Sequence, residues 1–289
     1  MILLIWALRG LAHLPRSLGY RAGALLGMAM MKLANKRRRI CEINLRTCFP
    51  KLSASEHRKL VQTCFRELGI GVVETSWAWF RPASFVAQYI HVEGVQHIKK
   101  ALADGHGVLL IGPHYTMLDL VAMIVNQTLG SLVISYRPQN NKAMDQIIHE
   151  KRQRFGELVS VKDLRTIKKR LNTGHIVWFS PDQDLGQKSS VFAPFFGRQT
   201  STITTPARLS APDKVTPIFL NLHRKEGLYH LSFQRFSDNY PSLDQVENAT
   251  QLNLLIERAV AACPGQYLWI HRRFKTSNDS EEKSLYPNH

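Results

Sequence analysis

A histidine and an aspartate five residues apart form the first candidate for chemistry in this chain. His114 and Asp119 belong to the segment Gly112-Pro-His-Tyr-Thr-Met-Leu-Asp119, which directly follows an apolar run. On a continuous helix their side chains would point about 140° apart, but the break at Gly112-Pro113 leaves His114 outside the helix, so it can fold back on Asp119. Because a neutral imidazole accepts a proton near pH 7 and a carboxylate fixes its tautomer, we predict that His114 is a general base oriented by Asp119.

Such a base activates an alcohol for attack on a carbonyl carbon and accelerates that reaction by about 10²–10⁴. No G-x-S-x-G nucleophile elbow accompanies the motif, which favours direct attack by the acceptor over an acyl-enzyme. The H-x-x-x-x-D spacing alone is a weak signal, however. A hydrogen-bonded structural histidine is the commoner reason for it.

Four more side chains are expected at the edge of the molecule where strands end, which is where open α/β sheets gather their reacting groups. Arg137 ends one apolar run, Asp182 and Asp184 follow another, and Arg208 lies on a short helix near the same edge. We predict that all four bind substrate. For Arg137 this means holding a phosphate through its guanidinium, with a structural ion pair as the alternative. Two carboxylates in a turn more often cap backbone N–H groups or pair with Arg than bind Mg²⁺, so no metal is predicted.

Other features remain open between a functional and a structural role. Phe192, Phe195 and Phe196 either line an acyl-chain channel or pack in the core. The basic residues 271–275 either contact phosphate or lipid or form a solvated charge run. Lys168-Lys169-Arg170 either docks an acidic carrier or lies on an exposed helix face.

Apolar runs that alternate with helical patterns predict an α/β fold with a mostly parallel central sheet flanked by helices. A capping-box pattern at Ser53–Glu56 begins a long helix that ends before Arg81-Pro82. A further strand is expected at 229–236, either at an edge of the sheet or within it. The main strands are predicted at 107–112, 132–137, 175–181 and 215–222, and the later helices at 115–129, 139–155, 163–172 and 244–262.

The N-terminus combines apolar and basic character. Residues 1–31 are rich in Leu, Ile, Ala, Gly and Met, but basic residues interrupt them, so no charge-free run of about 20 residues exists. The cluster Lys36–Arg39 follows. We predict a hydrophobic N-terminal helix that anchors the chain to a membrane, with a buried soluble helix as the alternative. The predicted organisation is an anchor at 1–40, one α/β domain at 41–276 and a polar tail at 277–289.

The net charge of +16 implies an anionic partner. It is local: residues 1–60 hold 12 Lys and Arg against 2 acids, and residues 137–170 hold 10 against 4. No nucleic-acid motif accompanies the charge, so nucleic acid is not predicted as a partner. The four cysteines have no metal-binding spacing and are expected to be reduced, packed thiols.

Besides the block around His114, five further blocks occur in order along the chain. They are Asn44-Leu-Arg-Thr-Cys-Phe-Pro50, Tyr136-Arg-Pro-Gln-Asn-Asn141, Pro181-Asp-Gln-Asp-Leu-Gly186, Ser190-Val-Phe-Ala-Pro-Phe-Phe-Gly197 and Gln266-Tyr-Leu-Trp-Ile-His-Arg-Arg-Phe-Lys275. Together these blocks resemble the bacterial lipid A late acyltransferases, the lauroyl and myristoyl transferase group. The resemblance covers about residues 10–276, and one departure is Gly265, which stands where that family commonly has Glu.

The resemblance implies transfer of a fatty acyl group from acyl carrier protein to a hydroxyl of a lipid A precursor. It places the enzyme on the cytoplasmic side of the bacterial inner membrane, in contact with inner-membrane lipids and without a cofactor. His114 and Asp119 would carry the family's base and orienting roles. Two alternatives stay open: another membrane glycolipid or phospholipid as acceptor, and coenzyme A as the carrier of the acyl group. Acyl length is not fixed by the sequence.

Overall fold

The computed structural model describes residues 2–277 and 285–286. Their helices are α1 (Ile2–Ala12), α2 (Arg16–Leu33), α3 (Asn35–Cys48), α4 (Ala54–Phe80), α5 (Ser84–Ala87), α6 (Val95–Ala103), α7 (Leu118–Leu129), α8 (Lys142–Arg152), α9 (Leu164–Asn172), α10 (Thr205–Ser210) and α11 (Gln245–Ala262). The strands are β1 (Ile90–Glu93), β2 (Gly107–Ile111), β3 (Leu132–Tyr136), β4 (Glu157–Ser160), β5 (Ile176–Phe179), β6 (Ser190–Phe195), β7 (Arg198–Ile203), β8 (Val215–Lys225) and β9 (Leu228–Arg235).

Seven strands form one sheet in the order β1-β9-β8-β2-β5-β3-β4. All neighbouring strands are parallel except β8 and β9, which are antiparallel. Strands β6 and β7 form a separate antiparallel hairpin. The predicted α/β fold with a mostly parallel sheet is therefore confirmed.

The central strands are buried on both faces, as parallel strands covered by crossover helices usually are. Successive side chains of a strand point to opposite faces. Leu109 and Ile111 of β2 accordingly lie in one apolar core, and Val108 and Leu110 lie in the other. The loops at the carboxyl edge of the sheet therefore follow directly from buried strands.

Some elements differ from the sequence-based expectation. Strand β9 pairs with both β8 and β1, so β1 occupies the edge of the sheet. The short strands β1 and β4 and the β6–β7 hairpin were not predicted, because runs of four to six residues with partly exposed side chains carry little periodicity. Helix α7 begins at Leu118 rather than at residue 115, which leaves His114 in a loop.

Helix α4 follows the prediction closely. The Glu56 backbone N–H donates to Ser53 Oγ at 3.3 Å, and the Ser53 N–H donates to a Glu56 carboxylate oxygen at 2.7 Å, which completes the capping box. The helix ends at Phe80 because Arg81 precedes a proline, and the ring of a proline disfavours helical backbone in the residue before it.

The N-terminal segment forms two helices instead of the expected one. They separate at residues 13–15, where Pro15 precedes the first turn of α2. Helix α2 packs closely on α4: a side chain at Gly27 would begin 1.9 Å from the Phe65 carbonyl oxygen. Within residues 2–277 and 285–286, no helix has the length and apolar content needed to cross a bilayer.

Most of the predicted polar tail, 277–289, lies outside the described residues. Tyr286 is buried and its hydroxyl accepts a hydrogen bond from the Phe274 backbone N–H at 3.1 Å. All four cysteines are unpaired; Cys263 is partly buried, and Cys41, Cys48 and Cys64 are buried.

Candidate active site

The imidazole of His114 is held by Asp182. His114 Nδ1 lies 2.6 Å from one carboxylate oxygen of Asp182, and the His114 backbone N–H donates to the other at 2.9 Å. With the Nδ1 proton donated to a carboxylate, Nε2 carries the lone pair. Nε2 makes no hydrogen bond to any residue in the part of the chain that the structure describes, and the side chain is 20% exposed. This is the arrangement of an oriented general base with an open nitrogen.

The predicted contact between His114 and Asp119 is wrong. Asp119 lies in the first turn of α7, where both of its oxygens accept from Arg152: Nε donates at 2.6 Å and Nη2 at 3.4 Å. The side chains of Asp119 and Arg152 are 8% and 18% exposed. Asp119 therefore positions a guanidinium, and Asp182 has the orienting place that the sequence assigned to Asp119.

The Asp182 carboxylate is fully buried, yet it stays ionised. Burial by itself opposes its charge, but the electrostatic attraction to His114 and the hydrogen bonds from that residue outweigh burial and hold the pKa of Asp182 well below its usual range. Burial also lowers the pKa of nearby His271 to about 4, against the attraction of Asp182, so this second imidazole is neutral. Its Nδ1 lies 2.6 Å from the Leu268 carbonyl oxygen, to which it donates.

The loop that carries His114 is clamped from two sides. The Thr116 N–H donates to the Gln266 carbonyl at 2.9 Å, and the Leu268 N–H donates to the His114 carbonyl at 3.0 Å. On the opposite side, Gly71 of α4 lets the loop approach so closely that a methyl group there would lie 2.2 Å from the Thr116 carbonyl oxygen. The position of the imidazole is thus fixed by backbone contacts as well as by Asp182.

The other predicted site residues have separate surroundings. Arg137 is exposed at the end of β3 and has no side-chain partner among the described residues, so it is available to a ligand. Asp184 accepts from the Gly186 N–H at 2.9 Å and from the Thr276 N–H and hydroxyl at 2.6 and 2.7 Å, which ties the segment after β5 to the end of the domain. Arg208 is exposed on α10. Within the described ranges no cluster of three or more His, Cys, Asp or Glu residues can hold a metal ion.

Three of the side chains whose role was left open make packing or hydrogen-bond contacts within the domain. The rings of Phe195 and Phe196 lie 5.0 Å apart, and Phe196 also contacts Phe49. Arg273 is 1% exposed and donates to the Ser201 carbonyl at 2.9 Å, so a solvated charge run was the wrong expectation for it. At Gly265, the first carbon of a side chain would lie 2.7 Å from a methyl group of Thr63, which explains why a small residue fits this position.

Sequence reasoning missed the roles of Arg152, Tyr267 and His271 in this region. Tyr267 is buried beside Asp182, and its pKa is raised first by burial and then by that carboxylate. Arg152 is one of ten Lys and Arg residues between positions 137 and 170, and no local sequence pattern distinguishes it from the others. The available signal for His271 and Tyr267 was their place in the block at 266–275.

The comparisons with known proteins agree with the sequence blocks. The family model for bacterial lipid A biosynthesis acyltransferases matches residues 1–276. The chain is 36% identical to a lipid A biosynthesis palmitoleoyltransferase of Escherichia coli K12 over 269 residues, covering 91% of this chain and 87% of the relative. It is 34% identical to the lauroyltransferase of the same organism, with coverage of 91% and 87%, and 24% identical to the myristoyltransferase, with coverage of 97% and 90%. This chain is a member of the bacterial lipid A biosynthesis acyltransferase family.

Proposed function

We propose that this protein transfers a fatty acyl group from acyl carrier protein to a hydroxyl of a lipid A precursor, with His114 as the general base. The observation that carries the proposal is the bond between His114 Nδ1 and the buried Asp182, which leaves Nε2 unpartnered among the described residues and partly exposed. Family membership supports the acceptor, since the relatives are named as lipid A acyltransferases.

In the proposed reaction Nε2 takes the proton of the acceptor hydroxyl while its oxygen attacks the thioester carbonyl carbon. The C–O bond forms, the C–S bond breaks, and the imidazolium returns its proton to the leaving sulfur. The negative charge of Asp182 stabilises the imidazolium between these steps. No covalent acyl-enzyme is needed.

Two guanidinium groups are assigned supporting roles. Arg152 is held by Asp119, which lies five residues after His114 in the chain. Its Nη1 takes no part in that ion pair and is assigned to stabilise the oxyanion that develops on the thioester carbonyl. Arg137, exposed at the carboxyl edge of the sheet, is assigned to a phosphate of the acceptor. Arg208 and Asp184 remain predictions as substrate contacts.

We also propose that the N-terminal helices lie in the membrane interface on the cytoplasmic side of the inner membrane. Their outer faces expose apolar side chains: Leu3, Trp6, Leu25 and Leu33 are 85%, 65%, 73% and 84% exposed. Because the glycines of α2 pack against α4, this helix stays on the domain while its exposed leucines enter the lipid.

The decisive experiment uses the purified full chain with acyl carrier protein loaded with 10- to 16-carbon chains and a lipid A precursor, followed by product masses. We expect wild type to add one acyl group, and His114→Ala to lose at least about 100-fold of this activity. His91→Ala is the matched control, since His91 is exposed on β1. Full activity in the His114 variant would overturn the proposed mechanism, and acylation of a phospholipid alone would overturn the acceptor.

A further inference from the structure

A cavity of about 360 Å³ lies between α2, α3 and α4, and its lining includes neither the His114 loop nor Asp182. Two helical faces meet around it. One is the i, i+4, i+8 row of Arg38, Glu42 and Arg46 on α3, and the other consists of residues between positions 54 and 62 at the start of α4. The residues from the other helices are Met31, Ala54, His57, Arg58, Val61 and Gln62.

The cavity is basic. It is lined by three arginines, and its one carboxylate, Glu42, pairs with Arg38 at 3.5 Å. Arg46 and Arg58 are exposed and have no ion-pair partner in the portion of the chain that the structure describes. A guanidinium binds phosphate through two parallel N–H bonds, so these two side chains suit a phosphate group.

His57 also lines the cavity, one residue before Arg58 on α4. An imidazole N–H donates a hydrogen bond to a phosphate oxygen, so this side chain adds a polar group of suitable chemistry to the two arginines. The three side chains come from two helices, α3 and α4, that line the same cavity.

The rest of the lining identifies the anion as part of an amphiphile. Met31, Ala54 and Val61 supply apolar surface next to the basic groups. Met31 lies two residues before Leu33, which is 84% exposed at the end of α2. The volume lies near the lower end of the range for ligand pockets, about 300–1,000 Å³, which suits a single headgroup better than a phosphorylated disaccharide.

We infer that the cavity between α2, α3 and α4 binds the phosphate headgroup of an anionic membrane phospholipid, held by Arg46, Arg58 and His57. This lipid is neither acyl donor nor acceptor. It fixes the α3–α4 corner of the protein to the bilayer surface beside the apolar face of α2. The inference does not require the proposed acyl transfer, because binding is measured with neither substrate present.

The test is native mass spectrometry of the full chain in non-ionic detergent with phosphatidylglycerol, phosphatidylcholine or lipid A precursor. We expect one phosphatidylglycerol retained per wild-type chain and at least about tenfold weaker retention of phosphatidylcholine. Arg46→Gln/Arg58→Gln should lower the retention of phosphatidylglycerol at least tenfold. The control Lys99→Gln/Lys214→Gln removes the same charge from exposed positions elsewhere and should retain the lipid.

A second variant tests the cavity while keeping its charge. Ala54→Trp fills the space from an exposed position and leaves both arginines in place, so it should also abolish retention. Thermal unfolding checks that each variant is folded. Equal retention by wild type and both cavity variants would overturn the inference, as would equal retention of phosphatidylcholine or a preference for lipid A precursor.

Discussion

His114 and Asp182 occupy equivalent positions in the loops that follow two neighbouring parallel strands. Ile111 of β2 pairs with Phe179 of β5, and each site residue follows its member of that pair by three positions. The register of two buried strands thus brings the imidazole to 2.6 Å from the carboxylate. The contact between His114 and Asp182 therefore depends on the sheet and not on the helix that follows His114.

The first prediction separates the two aspartates. Both Asp182 oxygens accept from N–H groups of His114, so the amide of Asp182→Asn leaves one N–H facing an NH₂ group and removes the charge that stabilises the imidazolium. We expect kcat to fall about 10²–10⁴-fold with a much smaller change in KM. In ¹⁵N-histidine NMR spectra, the Nδ1 proton of His114 should disappear in Asp182→Asn and persist in Asp119→Asn. The reverse pattern would restore Asp119 as the orienting residue.

The second prediction concerns Asp119 and Arg152. Removing one member of a largely buried ion pair leaves the other charge uncompensated, which typically costs about 3 kcal/mol or more. Asp119→Asn and Arg152→Gln should each destabilise the protein in urea unfolding. The double variant should be more stable than the sum of the two losses predicts, by at least about 1 kcal/mol. Additive losses would show that the two side chains do not act as a pair.

The sheet and the loop position of the proposed base, His114, could be predicted from the sequence because both have local signals. Apolar runs bounded by turn residues identify β2 and β5, and the break at Gly112-Pro113 identifies His114 as a loop residue. The partner of His114 has no local signal, since 68 residues separate it from Asp182. The order of the strands in the sheet determines that these two residues meet. The sequence does not give this order, so reasoning from the sequence favours the nearest carboxylate along the chain, Asp119.

Other parts of the structure could not be predicted for related reasons. Arg273 is buried because its guanidinium donates to the Ser201 carbonyl of β7, a contact across 72 residues. The composition of residues 271–275 instead suggests a solvated surface. The break between α1 and α2 was missed because residues 1–31 were judged by their apolar composition. Composition alone does not show that Pro15 marks the start of a second helix.

The third prediction is a loss of stability in mild acid caused by His271. Its pKa is about 4 in the folded protein because burial opposes the charge, whereas an unfolded histidine titrates near 6.5. Between these values the unfolded chain binds a proton that the folded chain does not, so stability falls as pH falls from about 6.5 to 4. From pH 7 to pH 5 the loss should be about 2 kcal/mol.

The control for this effect is His271→Gln. Its amide can still donate to the Leu268 carbonyl but does not titrate, so the urea midpoint should depend less on pH in this window. Burial also lowers the pKa of His223, so this residue adds to the loss of stability in mild acid. His223→Gln should remove a smaller part of the pH dependence of the urea midpoint than His271→Gln does. The contribution of Asp182 belongs to lower pH, because its pKa is depressed and its stabilising charge is lost only below its unfolded value. An unchanged slope in His271→Gln would contradict the assignment.

The fourth prediction concerns the contact of α4 with the His114 loop. In Gly71→Ala the new methyl group meets the Thr116 carbonyl oxygen, so the loop has to move. A displacement of about 1 Å at a reacting group can cost about 100-fold in rate, and we expect acyl transfer to fall by at least tenfold. Gly10→Ala, whose methyl group meets no atom within 4 Å, is the matched control and should keep full acyl-transfer activity. Full activity in Gly71→Ala would show that the loop tolerates the shift.

The fifth prediction concerns membrane binding by the exposed face of α2. Leu25 and Leu33 are 73% and 84% exposed, and transferring a leucine side chain from water to lipid is worth about 1.5–3 kcal/mol. Leu25→Gln/Leu33→Gln should therefore weaken flotation with phosphatidylglycerol-containing vesicles by at least about 100-fold. The control Leu243→Gln/Leu254→Gln changes leucines that are 102% and 44% exposed but lie outside the N-terminal helices, and it should float like wild type. If both pairs weaken binding equally, the lipid contact is not centred on α2, and an interfacial N-terminus would no longer explain why these leucines face outward.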